Sequence, residues 1–125
     1  MALVDFKLYM IGDRHQTGSR SLSQVVQAAA EAGVSAIQFR EKDLPLRAQF
    51  DLAQKIKKIT KKQGVRLLVN DRVDLCLALD AAGVHLPSRG LPIDLARRLL
   101  GKKKLIAVSC HSLEEVKKAE QAGAD

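Results

Sequence analysis

The chain has 125 residues, of which 46% are hydrophobic and 28% charged, the size and balance of one globular domain. No apolar run approaches the ~18–20 residues of a membrane-spanning helix. Met1-Ala2-Leu3-Val4-Asp5 meets an acidic residue before a signal-peptide core forms, so a cytoplasmic location is the default expectation. An excess of 21 Lys and Arg over 14 Asp and Glu favours anionic partners, whether phosphorylated metabolites or nucleic acid. Three Phe, one Tyr and no Trp leave little on which to stack single-stranded bases. Cys76 and Cys110 make neither a disulfide framework nor a zinc-binding spacing.

Short β-branched runs alternate with longer helical patterns. Lys7 to Ile11 reads as a strand ended by Gly12-Asp13. Ser21 to Ala32 reads as a helix with Ser21 and Gln24 at capping-box positions and Gly33 as its stop. Leu22, Val25, Val26 and Ala29 share one face of it at the 3, 4 spacing of a buried stripe. Ser35 to Phe39 is a second strand, and Leu46 to Gln63 a helix opened by Pro45. Its lysines 55, 57, 58, 61 and 62 flank the buried stripe Leu52, Ile56 and Ile59 and read as a solvated face, with anion binding as the alternative.

Arg66 to Val69 is the third strand, followed by a short apolar helix from Val73 to Leu79. Gly83 to Leu86 is the fourth strand, and Ile93 to Leu100 a helix between Pro92 and Gly101. Leu105 to Val108 is the fifth strand. Ser112 to Ala122 closes the series as a helix with Ser112 and Glu115 as a second capping box. Five βα units with short links imply parallel strands joined by right-handed crossovers in a single α/β domain over residues 1–125.

An open doubly wound sheet and part of a (β/α)8 barrel both accept five such units. Gly12-Asp13-Arg14-His15 lacks the GxGxxG spacing, and no P-loop is present. Polar residues instead follow the C-terminal ends of several strands: Arg40 and Lys42, Asn70 and Asp71, His85, Ser109 and His111. That distribution favours a partial TIM-type (β/α)8 barrel.

Alternation puts Gln38 and Arg40 on one face of the second strand's end and Phe39 on the other. Arg40 and Lys42 together would hold a diphosphate, unless Glu41 and Asp43 tie them into a surface salt-bridge cluster. Asp71, at a strand end, is either a Mg²⁺ ligand facing a phosphate or the cap of the following helix. Cys110 and His111 point to opposite sides as strand neighbours, so Cys110 reads as a packed hydrophobe. His111 reads as a general acid or base, or as a solvated loop residue.

Five stretches, in order, resemble the thiamine phosphate synthase family, which includes the bacterial thiazole tautomerases. They are Leu8-Tyr9-Met10-Ile11-Gly12-Asp13-Arg14, Gln38-Phe39-Arg40-Glu41-Lys42-Asp43, Asn70-Asp71-Arg72-Val73-Asp74, Gly83-Val84-His85-Leu86-Pro87 and Ser109-Cys110-His111-Ser112-Leu113-Glu114-Glu115. The resemblance implies a (β/α)8 barrel with Mg²⁺ that joins a hydroxymethylpyrimidine diphosphate to a thiazole phosphate and releases pyrophosphate. By the same resemblance Gln38, Arg40, Lys42 and Asn70 hold the pyrimidine diphosphate, Ser109 contacts substrate, and Asp71 is one of two metal-binding aspartates. His85, at the end of the fourth strand, joins the substrate-binding candidates.

Two departures from the family pattern stand out. The synthase stretch Gly-Gln-x-Asp is replaced by Pro87-Ser88-Arg89-Gly90, so Gly90 stands where the second metal carboxylate belongs and weaker Mg²⁺ binding is expected. Leu86-Pro87-Ser88 with His111 resembles the tautomerase branch, in which a histidine at that position moves the proton between thiazole isomers. Three readings follow: the synthase, a thiazole tautomerase with His111 as acid–base, and an inert protein that keeps only a phosphate-ligand half-site. A complete barrel of this type takes at least ~200 residues, so five of its eight units are expected here. Unpaired strand edges then predict self-association into a homo-oligomer. Nothing in the motifs asks for nucleic acid.

Overall fold

A computed structural model of the chain describes residues 4–125; Met1 to Leu3, part of the stretch examined for a leader, lie outside the described residues. The strands are β1 (Tyr9–Gly12), β2 (Ala36–Phe39), β3 (Arg66–Asn70), β4 (Gly83–Leu86) and β5 (Leu105–Val108). Between and after them come α1 (Leu22–Glu31), α2 (Leu46–Gln63), α3 (Val73–Leu79), α4 (Ile93–Leu100) and α5 (Leu113–Ala122), with a turn of 3-10 helix at Arg14–Gln16 that the sequence pattern did not announce. All four pairings are parallel, in the order β1-β2-β3-β4-β5. No helix among the described residues is long and apolar enough to cross a membrane.

The sheet is curled, and side chains show it. In a flat sheet β1 and β4 would lie three strand spacings, about 14 Å, apart. The Tyr9 hydroxyl nevertheless sits 3.1 Å from Nδ1 of His85. Only a sheet bent around its concave face brings those two side chains together, which is the geometry of a barrel wall.

Alternation assigns the faces. Ile37, Phe39, Leu67, Val69, Val84, Leu86 and Ile106 form the convex face and are buried against Leu22, Val26, Ala53, Ile56, Leu75, Cys76, Ala96 and Leu100 of the helices. Tyr9, Gln38, Asn70, His85 and, just past β5, Ser109 occupy the alternate phase and face inward. Gly83, two residues before His85 on β4, shares that inward phase, and it is glycine there because a Cβ would lie 2.2 Å from the Leu105 carbonyl oxygen and 2.6 Å from its Cβ.

Local signals match the elements closely. The Ser21–Gln24 capping box is complete. At α5 the second box is corrected: Ser112 Oγ accepts from the Glu115 N–H, but the Glu115 carboxylate reaches one residue further, to the His111 N–H at 2.6 Å. Lys57 also departs from its solvated neighbours, because its ammonium donates to the carbonyls of Leu79 and Asp80 at the end of α3. Arg97 closes the far side. Its guanidinium donates to the carbonyls of Gly101, Lys104 and Gly123 and to the Asp125 carboxylate, which in turn accepts the Ile106 N–H.

Candidate functional site

A row of hydrogen bonds crosses the concave face. Gln38 Nε2 donates to the Tyr9 hydroxyl at 3.1 Å, the hydroxyl meets His85 Nδ1 at 3.1 Å, and His85 Nε2 meets Ser109 Oγ at 3.0 Å. Three of its four members were picked out by sequence; Tyr9 was not. Burial pushes the Tyr9 phenol up to about 12 and pulls the His85 pKa down. At neutral pH both groups are therefore uncharged, a phenol facing a neutral imidazole. The available signal for Tyr9 was its phase, because a tyrosine on the inward side of a strand needs a polar partner once buried.

A second group of residues lines a cleft of about 290 Å³ beyond the ends of β2 and β3: Lys42, Asn70, Asp71, Arg72, Gln49 and Pro87, with Glu41 at its wall. The acids beside Lys42 are already engaged. Glu41 is fully buried and accepts from the Arg14 backbone N–H and guanidinium. Asp43 takes Arg14 at 2.7 Å and His15 at 2.8 Å, and these partners hold its carboxyl well below the usual carboxylate range. The expected surface cluster therefore forms with cations of the loop after β1. Lys42 is left exposed at the cleft with no carboxylate partner among the described residues. Arg40 stands apart from the cleft, 3.8 Å from Asp13.

Asp71 sits in the left-handed region, at φ 62, inside a tight turn in which the Arg72 N–H donates to the Asn70 carbonyl at 2.7 Å. Its own N–H donates to the His85 carbonyl at 2.8 Å, tying the turn to β4. Asp is among the few non-glycine residues that adopt this conformation readily. The capping alternative fails here: the N-cap of α3 is Arg72, with no side-chain cap, and Arg72 instead forks onto Asp74.

A Cβ built on Gly90 would lie 3.1 Å from Asp71 Oδ1 and 2.9 Å from the Pro87 ring. A side chain at position 90 would stand against Asp71 and the Pro87 ring, and with glycine there no second carboxylate accompanies Asp71. Among the described residues no cluster of three metal-ligating side chains exists. One carboxylate still suits Mg²⁺, which takes one or two of them together with phosphate oxygens. We expect Gly90→Asp to add a metal site detectable without substrate, as an affinity for Mn²⁺ followed by paramagnetic resonance; no gain in binding would mean that position 90 does not govern the metal.

The remaining candidates fall outside both groups. His111 is largely exposed at the start of α5 with Nδ1 3.6 Å from Glu115, away from the row through His85. Cys110 is half-buried, not fully packed, whereas Cys76 is buried with its thiol pushed up to about 11, an inert structural residue.

The fold and this disposition of groups define a class: a (β/α) barrel wall presenting an inward polar row and a polar cleft that carries Lys42 at the C-terminal strand ends, where such barrels place their ligand sites. The family model for thiamine monophosphate synthase matches residues 8–125, and the chain belongs to that family. It is 51% identical over 125 residues to a putative thiamine-phosphate synthase of Geobacter sulfurreducens, covering all of this chain and 59% of the relative. It is 43% identical over the same length to the thiamine-phosphate synthase of Caldanaerobacter subterraneus subsp. tengcongensis, covering 58% of that protein. The thiamine phosphate pyrophosphorylase structure from Pyrococcus furiosus superposes with a TM-score of 0.87 at 37% identity, over 96% of this chain and 57% of that one. The chain thus spans somewhat under two thirds of the length of the relatives it matches.

Proposed function

We propose that the chain carries the pyrimidine-diphosphate side of a site that makes thiamine phosphate from hydroxymethylpyrimidine diphosphate and thiazole phosphate, releasing pyrophosphate. The observation that carries this is the convergence of an unpaired Lys42 with Asn70 and Asp71 on one cleft, beside an inward row of uncharged hydrogen-bonding groups. Breaking the C–O bond of the diphosphate sends the electron pair to pyrophosphate, and the developing charge needs cations fixed in place. Lys42 supplies one as a compact point charge, whereas Arg40, 3.8 Å from Asp13, lies outside the cleft. Mg²⁺, held by Asp71 with Asn70 alongside, would neutralise part of the diphosphate charge when bound. Gln38, Tyr9, His85 and Ser109 offer the donors and acceptors that a heterocyclic ring requires.

Titrating the chain with inorganic pyrophosphate in the presence of Mg²⁺ tests the cleft. Binding that disappears in Lys42→Ala supports it, and binding indifferent to Lys42 counts against it. The tautomerase alternative rests on His111, which here faces solvent and Glu115 and not the inward row.

We propose further that copies of the chain associate over apolar surface near α5. Leu113 and Val116 of α5 are exposed, and a groove of about 1230 Å³ runs past Ile106, Val108, Cys110 and Val116. Exposed apolar surface of this kind favours association. Light scattering coupled to size exclusion is expected to show a mass above the monomer; a monodisperse monomer at tens of micromolar would contradict it.

A further inference from the structure

We propose that Tyr9 is a positioning residue that sets the direction of the inward hydrogen-bond row, holding His85 as the tautomer protonated at Nε2 so that the Ser109 hydroxyl proton is turned outward toward a ligand acceptor. The inference deepens the function proposed above and rests on it only for its consequence on turnover, not for the tautomer itself.

Donor and acceptor accounting decides the direction. The Gln38 amide nitrogen is donor only, so in its 3.1 Å contact the Tyr9 oxygen accepts. The phenol has one proton left, and the one other partner within hydrogen-bond distance is His85 Nδ1. If Nδ1 accepts that proton, the imidazole carries its own at Nε2 and donates it to Ser109 Oγ, 3.0 Å away. The serine proton is then unspent and free to meet a ligand on the concave face. In the opposite direction Nδ1–H would donate to a phenol oxygen already accepting from Gln38. Ser109 would then spend its proton on Nε2, and the phenol proton would have no acceptor in a half-buried position. That arrangement leaves a half-buried donor with no protein acceptor among the described residues, and so is the less favourable of the two.

Packing fixes the phenol where the row needs it. The Tyr9 ring lies nearly parallel to the imidazole, with centroids 5.9 Å apart and planes 22° from each other. Phe6 braces its other side at 5.7 Å, tilted by 44°. Burial keeps the phenol protonated and the imidazole neutral, so the tautomer is a single defined state and not an average over charge forms. Tyr9 and Ser109 thus communicate from β1 to the end of β5 through one ring, across a sheet whose curl is what allows the contact.

The test is nitrogen-15 NMR of the imidazoles in the wild-type chain at neutral pH. His15 and His111 are assigned by substitution so that His85 is read alone. The expected result is a protonated Nε2 and a bare Nδ1 for His85. A protonated Nδ1 would overturn the proposal without any variant being needed. Tyr9→Phe, which removes one oxygen and keeps the ring, is expected to shift His85 to a mixture of tautomers; an unchanged Nε2–H form would show that Tyr9 does not direct the row. Where turnover is measured, the same variant is expected to lower kcat by about tenfold with KM changed less than about twofold, since the lost effect is orientation of a bound group. A wild-type His85 in the expected tautomer together with no thiamine phosphate formation would leave the row intact and reject the proposed function, so the two failures are distinguishable.

Discussion

Lys42→Ala is expected to lower the rate of thiamine phosphate formation by about 10²–10³-fold, the usual cost of deleting one preorganised group that meets developing charge. The neighbours of Lys42 explain why the effect should be large. Glu41 and Asp43, the two acids that flank it, are both taken by Arg14, and Asp43 also by His15. No carboxylate among the described residues pairs with the Lys42 ammonium at the cleft. The loss should fall mainly on kcat, because the charge on the departing pyrophosphate grows as the C–O bond breaks. Lys42→Arg should recover part of the rate, since the charge is kept while the point geometry is lost. Stopped assays of thiamine phosphate under saturating substrates measure both variants. Unchanged turnover in Lys42→Ala would remove the residue from the mechanism.

Gly83→Ala is expected to be the most damaging single methyl in the wall. The added carbon would meet the Leu105 carbonyl oxygen at 2.2 Å and its Cβ at 2.6 Å, neither of which is the end of a flexible side chain. Relief requires β4 and β5 to part, and these strands pair at Gly83–Leu105, Val84–Ile106, His85–Ala107 and Leu86–Val108. Overpacking of this kind costs about 3 kcal/mol, which for a domain of this size is a fall in Tm on the order of 10 °C. Function is coupled to the same movement. His85 lies two residues along the displaced strand, and its 3.0 Å bond to Ser109 spans the β4–β5 seam. Calorimetry on Gly83→Ala is the check; a melting temperature within about 3 °C of the parent would mean that the seam yields more easily than its contacts indicate.

Much of the architecture was legible because punctuation and periodicity agree. Pro45 and Gly64 bracket α2, Pro92 and Gly101 bracket α4, and helices α2 to α4 and strands β4 and β5 fall on the residues that the pattern named. The first strand moved by two residues at its start, to Tyr9–Gly12, because Leu8 contributes only its carbonyl to the pairing, accepted from the Ala36 N–H. The phase of the candidate residues on strand ends was legible for the same reason: alternation gives it, and Gln38, Asn70, His85 and Ser109 all face inward.

What escaped depends on distance across the fold. The Tyr9–His85 contact joins residues 76 apart in sequence and exists only because the sheet curls. The burial of Glu41 against Arg14, 27 residues away, decides whether Lys42 is free, and no local pattern around Lys42 contains that information. The left-handed turn at Asp71 likewise has no signature beyond an Asn-Asp pair. The closeness of Gly90 to Asp71 is also invisible in the sequence, where the two lie 19 positions apart.

Titrating the chain with hydroxymethylpyrimidine diphosphate and Mg²⁺ while following backbone amide resonances is the decisive test of the cleft. The expected result is one saturable site, with the largest shifts at Lys42, Asn70, Asp71 and Ser109, and its loss in Lys42→Ala. Saturable binding that leaves those residues unmoved, or no binding at millimolar ligand, would contradict the proposed site.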